Sequence, residues 1–253
     1  MTRRLAELTS PEVSERLRST SMVIQPIGAV EQHGAHLPLI SDTLVVGAVG
    51  DAAVGRCGDD TDAWLLEPIA YGKSNEHDWA PGTVSVSTTT LLGLLDDVAR
   101  SVARTPARKL VFLNGHGGNN ALLSAAARDI RVQLDMSAYV IHPFLAYSGM
   151  AQSDELDFHA GESETSVVAH LRNDLVRWDR AVADGPTSLH DNDHLRLDGT
   201  VDLGWRSDDF GAGTGVIGDP TAADPERGAK IFDAMVTYTV EALAECARHQ
   251  SHD

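Results

Sequence analysis

Apolar runs of strand length alternate with longer stretches of helical character along this chain. Ser21 to Gly28 is a short apolar run closing on glycine, which predicts a buried strand. Ala63 to Ile69, Arg108 to Leu113 and Ala138 to His142 have the same character, and Thr83 to Ser87 alternates at period two, which predicts a further strand. Helices are expected over Ser10 to Arg18, where Pro11 sits in the first turn, and over Thr43 to Val54, with Asp42 near the N-terminus. Others are expected over Thr88 to Arg104, over the alanine-rich Ala121 to Leu134, from about Glu162, and from about Asp224 to Arg248. Strand-helix alternation of this kind implies a mainly parallel sheet with helices on both faces. Asp184 to Pro220, rich in Gly and Asp, is a long excursion without periodicity, and such loops are usually functional.

Composition narrows the class. The 253 residues are 42% hydrophobic and 23% charged, enough to build a core, and a single α/β domain over 1–253 is the expected organisation. Acidic side chains number 37 against 20 basic ones, a formal charge of −17. That balance argues against a nucleic-acid or anionic-membrane partner, both of which need a basic footprint. Cys57 and Cys246 match no metal or redox spacing, so a reducing cytoplasm is the expected compartment. Arg3 and Arg4 are followed at once by Glu7 and by no apolar segment, so no secretory signal is expected, and no run is long enough to span a membrane. What the acidity leaves unexplained is eleven histidines.

Some of these histidines fall where chemistry is expected. Three segments rich in metal-capable side chains sit at strand ends or helix starts. Glu31-Gln32-His33-Gly34-Ala35-His36 leads to Asp42, His116 follows the strand that ends at Leu113, and His159-Ala160-Gly161-Glu162-Ser163-Glu164 opens a helix. Residues two apart in an extended segment point the same way, so Glu31 and His33 can share a pocket, and Asp42 can return a carboxylate to it. Open parallel sheets bind ligands at the carboxyl ends of their strands, where the three segments should converge. Imidazole and carboxylate donors without thiolates suit zinc, manganese or iron(II), and five such donors are more than one tetrahedral ion needs. Each piece alone has a plainer reading. A lone histidine after a strand is commonly a hydrogen-bonded structural residue, and Asn114 to Asn119 could cradle a phosphate, though without a P-loop lysine.

Taken together, Glu31-Gln32-His33-Gly34 with Asp42, Asn114-Gly115-His116-Gly117-Gly118-Asn119 and His159 to Ser166 resemble the creatininase family of metal-dependent amidohydrolases. Tyr71-Gly72 through Glu76-His77 to Pro81-Gly82-Thr83, and Gly215 to Pro220, extend the likeness over nearly the whole chain from Gly28. The resemblance implies a three-layer α/β/α sandwich, assembly as a homo-oligomer, commonly a hexamer, and two divalent metal ions. Glu31, Asp42 and His116 would hold one, and His33, Asp42 and Glu164 the other, with Asp42 bridging. Zinc is the first expectation for the ions, with manganese or iron as alternatives. A water between two such ions is acidic enough to act as hydroxide on an amide carbonyl. His159, matching the family's catalytic histidine, would give a proton to the departing nitrogen. His36, Glu76 and His77 are expected to line or brace the pocket, Gly117 to lie beside it, and Glu162 to cap its helix or meet substrate.

Departures from the pattern bear on the substrate. Creatinine amidohydrolases carry a glutamate where this chain has Gly118 and a tryptophan where it has Glu155, and Phe144 is the best upstream candidate to stack on a flat ring. A pocket without these groups implies a small-molecule or short-peptide amide other than creatinine. Other branches of the family trim a C-terminal peptide in maturation of the redox cofactor mycofactocin, or cleave a formamide from a pyrimidine nucleotide precursor. A phosphorylated substrate would call on Lys73, Arg196 or Arg206, and Trp205 could cover the site. A reading of another class is a metal-binding regulatory protein that has lost catalysis.

Overall fold

The computed structural model describes residues 3–147, 157–186, 192–195, 201 and 203–250. Four strands, β1 (Met22–Ile27), β2 (Ala63–Leu65), β3 (Lys109–Asn114) and β4 (Ser137–Ile141), form one sheet in the order β2-β1-β3-β4, and every pairing is parallel. Six α-helices accompany them among the described residues: α1 (Ser10–Arg16), α2 (Ser41–Arg56), α3 (Thr88–Ala103), α4 (Asn120–Leu134), α5 (Glu162–Arg172) and α6 (Pro225–Arg248).

Alternation along the strands divides the core in two. Met22, Ile24, Val111 and Leu113 face a cluster built with Val45, Val46 and Val49 of α2, Val167 and Val168 of α5, and Ile231 and Met235 of α6. Val23, Leu110 and Phe112 face the opposite way, onto Leu91 and Leu95 of α3 and Leu123 and Ile130 of α4. Because successive strand residues point to opposite faces, continuously apolar strands need cover on both sides, and the helices supply it. The result is the expected three-layer α/β/α sandwich.

Two strand predictions need correction. Thr83 to Ser87 is extended but forms no strand: Val84 N donates to Val30 O and Val86 N to Gly72 O, so it laces two loops and never meets a continuous partner. β2 stops at Leu65 although the apolar run continues to Ile69. Its neighbour carries Pro26, which has no N–H to donate, and the Gln25 side chain bonds Glu67 O instead. Pairing resumes only as an isolated bridge between Ile27 and Ile69.

Strand order fixes the site. The chain leaves β1 through α2 toward β2, and leaves β3 through α4 toward β4, so the connections diverge between the two central strands. A crevice opens at the carboxyl ends of strands at such a switch point. β1 and β3 run in register to Ile27 and Asn114, and Gly115 N still donates to Ile27 O, so the segments carrying Glu31 and His116 start side by side. The N-terminal turn of α2 crosses closely over both. A Cβ at Gly28 would lie 2.6 Å from the Thr43 Cα, and one at Gly115 2.6 Å from the Val46 Cβ. Only glycine leaves room for α2 to bring Asp42 this near.

Candidate metal centre

The three sequence segments converge. Donor atoms of Glu31, Asp42 and His116 lie within 4.8 Å of one another, as do those of His33, Asp42 and Glu164, and those of Glu31, His33 and His159. Asp42 belongs to the first two groups. His33 Nε2 is 3.2 Å from Asp42 Oδ1 and 4.0 Å from Glu164 Oε2, while His116 Nδ1 is 3.2 Å from Asp42 Oδ2. Glu31 stands with its Oε2 3.3 Å from His116 Nε2 and its Oε1 3.3 Å from His77 Nε2. Except for Glu164, whose side chain is 16% exposed, these ligand candidates are buried.

Local structure aims each group. The Glu31 carbonyl lies 3.1 Å from His33 Nδ1 and takes its proton, which turns Nε2 toward Asp42. Asp42 is the second residue of α2, where the positive end of the helix favours a carboxylate. His116 follows β3 directly, and Asn114 braces that turn by donating to His116 O. Glu164 Oε2 accepts from Ala160 N at 2.6 Å, and Ala160 holds a left-handed φ of 53°. That conformation is strained for alanine, and it is kept at the site itself. His159 is pinned from behind, its N–H and carbonyl both bonded to Ile217 in the Gly215 to Pro220 motif.

Hydrogen bonding within this cluster is incomplete. Both oxygens of Glu31 and Oδ2 of Asp42 are buried without a hydrogen-bond partner. Burial pushes the Glu31 carboxyl up to about 8, helped by Asp42 and opposed by His116 and His33. Burial likewise lifts Glu164 to about 7, with His33 pulling down and Asp42 pushing up. Burial also opposes charge on His33 and His116, yet their carboxylate neighbours outweigh it and hold both near 10. For Asp42, burial is outweighed by His33 and His116, which hold it below the usual carboxylate range. Buried carboxyl oxygens without hydrogen bonds, set between imidazole nitrogens, fit divalent cations, which would meet those lone pairs and displace the protons. The cluster is therefore metal-capable in donor type, burial and unmet valence.

The remaining predicted residues divide. His159 is buried, its Nε2 within 2.8 Å of the Gln32 carbonyl and its Nδ1 3.8 Å from Glu31 Oε1, with the ring 4.4 Å from those of both His33 and His77. Burial, then His33 and His77, push it well below the ordinary histidine value, so the resting ring is neutral. His77 is buried beside Glu31 and pushed down to about 3 by burial and the neighbouring imidazoles. His36 is a brace farther out, bonded through Nε2 to Thr165 Oγ1 at 2.9 Å and pushed down to about 4 by burial and His33. Glu76 Oε1 lies 3.6 Å from His116 Nε2. Glu162 is the first residue of α5 and pairs with Arg227 of α6 at 3.1 Å, so it ties two helices together beside the site. Gly117 is exposed and opens a short 3-10 turn before α4.

Trp205 is half-buried and packs edge-on to His77 at 6.3 Å and against Phe158 and Phe210. Phe144 packs against the helical core. Arg206 is engaged with Asp208, Lys73 enters the site through its backbone carbonyl, and Arg196 and Glu155 lie outside the described residues.

Sequence reasoning missed Gln32 as an active participant and Ser207 altogether. Gln32 Nε2 lies 2.8 Å from His77 Nδ1 and 3.1 Å from the Gly215 carbonyl. Ser207 Oγ is fully buried, 2.8 Å from both His77 Nδ1 and Trp79 Nε1, and so fastens the long excursion to the pocket wall. Gln32 could have been found from its place between Glu31 and His33. A lone serine in an aperiodic loop gives no such signal.

Known proteins share this chain's sequence pattern and fold. The chain is 37% identical over 218 residues to the mycofactocin precursor peptide peptidase of Mycolicibacterium smegmatis, covering 85% of this chain and 81% of that one. It superimposes with a TM-score of 0.82 on a creatinine amidohydrolase homologue from Bacteroides fragilis, at 25% identity with both chains covered completely. Creatininase structures in a Zn-Zn form and a manganese form, each 27% identical, match with TM-scores of 0.78 and 0.77 over 97% of this chain and 98% of theirs. The family model described as creatininase, creatinine amidohydrolase, matches residues 6–243. With strand-end donors, fold and sequence in agreement, this chain belongs to the creatininase family of hydrolases acting on carbon-nitrogen bonds.

Proposed function

We propose that the cluster holds two divalent metal ions and hydrolyses an amide bond in a short peptide. Glu31, Asp42 and His116 hold one ion and His33, Asp42 and Glu164 the other, with Asp42 shared. Zinc is the first choice of metal, then manganese or iron. The observation that carries the reading is the set of buried, unpartnered carboxylate oxygens on Glu31 and Asp42, set between imidazole nitrogens. When bound, such ions lower the pKa of a water and polarise a carbonyl oxygen.

The chain's own groups then manage protons. The Nε2–H of His159 is committed to the Gln32 carbonyl, so its Nδ1 lone pair faces the site. A neutral ring in that tautomer takes the proton released as water attacks the amide carbon and returns it, at Nδ1, to the departing nitrogen. Gln32 and Ser207 keep His77 in place against Glu31. Gly118 in place of glutamate argues against creatinine, and the similarity to the Mycolicibacterium peptidase favours a peptide amide. The same reading takes 1–253 as one domain in a cytoplasmic homo-oligomer, a hexamer by family likeness, which size-exclusion chromatography with light scattering would test. No described helix is long and apolar enough to cross a membrane.

Metal analysis with a panel of peptides, linear amides, cyclic amides and formamides tests the function. His33→Ala should lower the bound metal, and full stoichiometry in that variant would sink the ligand assignment. His159→Ala should keep its metal and lose about 100-fold or more in turnover, the scale of a general acid-base group. Unimpaired turnover would remove its role. A metal-loaded protein that cleaves nothing in the panel would be a metal-binding protein without the chemistry.

A further inference from the structure

We propose that Glu76 is a positioning residue of the metal centre, acting on the Nε2 edge of His116 so that Nδ1 is the nitrogen presented to the cation. The inference rests on the metal reading above and adds a residue and an atom to it. His116 Nε2 is 2.9 Å from the Lys73 carbonyl with hydrogen-bond geometry, which commits the Nε2 proton. Glu76 Oε1 stands behind the same edge at 3.6 Å, with Ser74 Oγ at 3.3 Å, while Glu31 Oε2, also 3.3 Å from Nε2, belongs to the ion's own donor set. On the other edge, Nδ1 is 3.2 Å from Asp42 Oδ2, an oxygen with no hydrogen-bond partner. A carbonyl and a carboxylate behind one ring nitrogen fix the tautomer and make the other nitrogen a better donor to metal.

The backbone reserves this space. A Cβ at Gly118 would come within 2.2 Å of the Lys73 carbonyl, 2.5 Å of His116 Nε2 and 2.6 Å of Glu76 Oε1. Any side chain there would have to displace the two groups that back the ring. Lys73 N is in turn held by Asn119 Oδ1 at 3.0 Å, which locks the 73–76 segment onto the turn after His116. The Glu76 side chain is only 14% exposed, so solvent screens its charge little. Glycine at 118 and glutamate at 76 thus form one device, with the carboxylate lent from the 3-10 turn Asn75–His77 to the histidine of a strand end.

Zinc titrated into the metal-free full-length protein against a chromophoric chelator tests this. Glu76→Gln keeps the shape and removes the charge, and should weaken zinc binding at one of the two sites about tenfold or more. The double variant Glu76→Gln with His116→Ala should bind no more weakly than His116→Ala alone, because the effect runs through the ring. Unchanged zinc affinity in Glu76→Gln would overturn the proposal, and so would a loss that adds fully to that of His116→Ala. Nitrogen-15 spectra of the zinc-loaded protein supply a readout that needs no His116 variant. They should place the metal on Nδ1 of His116, and metallation at Nε2 would overturn the proposal. A wild-type protein that binds no zinc, manganese or iron would instead refute the metal reading itself.

Discussion

At the scale of single residues, the centre sets buried carboxyl groups against imidazoles whose protons a cation would have to displace. In the metal-free protein His33 and His116 hold their protons up to about 10, and Glu31 and Glu164 are raised to about 8 and about 7. A divalent ion needs all four unprotonated, so binding must expel protons, and raising the pH from 6.5 to 8.5 removes part of that competition. Apparent zinc affinity should therefore rise more than about tenfold over that interval. Titration calorimetry in buffers of different ionisation enthalpy should show at least about one proton released per ion, since each triad contains one such histidine. Heats that are independent of buffer would mean that the imidazoles are not displaced and that the ion sits elsewhere.

At the scale of elements, the periodic parts were legible and the aperiodic parts were not. The apolar runs marked β1, β3 and β4, and Pro11, Asp42 and Asp224 marked the starts of α1, α2 and α6 within a residue or two. Thr83 to Ser87 had the alternation of a strand but no partner at the right spacing, and pairing is a property of two segments that one segment's pattern cannot report. Ser207 was illegible for the same reason, because its burial depends on where a long loop returns. The three donor segments could be singled out because metal chemistry restricts the residue types and strand ends restrict the places, while the choice of Glu164 over Glu162 rested on the family resemblance. Helix α6 offers a clean test of the local rules. Asp224 accepts from both Glu226 N and Arg227 N at 3.2 Å, a two-donor cap on the longest helix. Asp224→Ala should destabilise the fold by about 1 kcal/mol, and a thermal midpoint lowered by about 2–4 °C would report it. An unmoved midpoint would mean that α6 is held by packing on α2 and α5 alone.

At the scale of the whole molecule, the acidic surplus and the fold are linked through the site. The formal charge of −17 includes Glu31, Asp42 and Glu164, which lie inside the crevice and add little to the solvated surface. Two divalent ions would offset about four of those units locally, at the point where both central strands, α2 and α5 present their ends to one another. An ion between them would add a link to layers otherwise held by packing and a few polar contacts such as His36 to Thr165. Anything that binds the folded chain and not the unfolded one stabilises it by mass action. At free zinc 100-fold above the dissociation constant, each ion should add about 2.7 kcal/mol, which for a chain of this size raises the thermal midpoint by about 5–10 °C. Removal of metal by a chelator should lower the midpoint by that much for each ion lost, and readdition of zinc should restore it. His33→Ala separates this effect from general chelator damage, because it should begin near the lower midpoint and respond less to either treatment. If wild type and variant melted together, with and without metal, the crevice would not be bridged by ions and the unpaired carboxylate oxygens would need another partner.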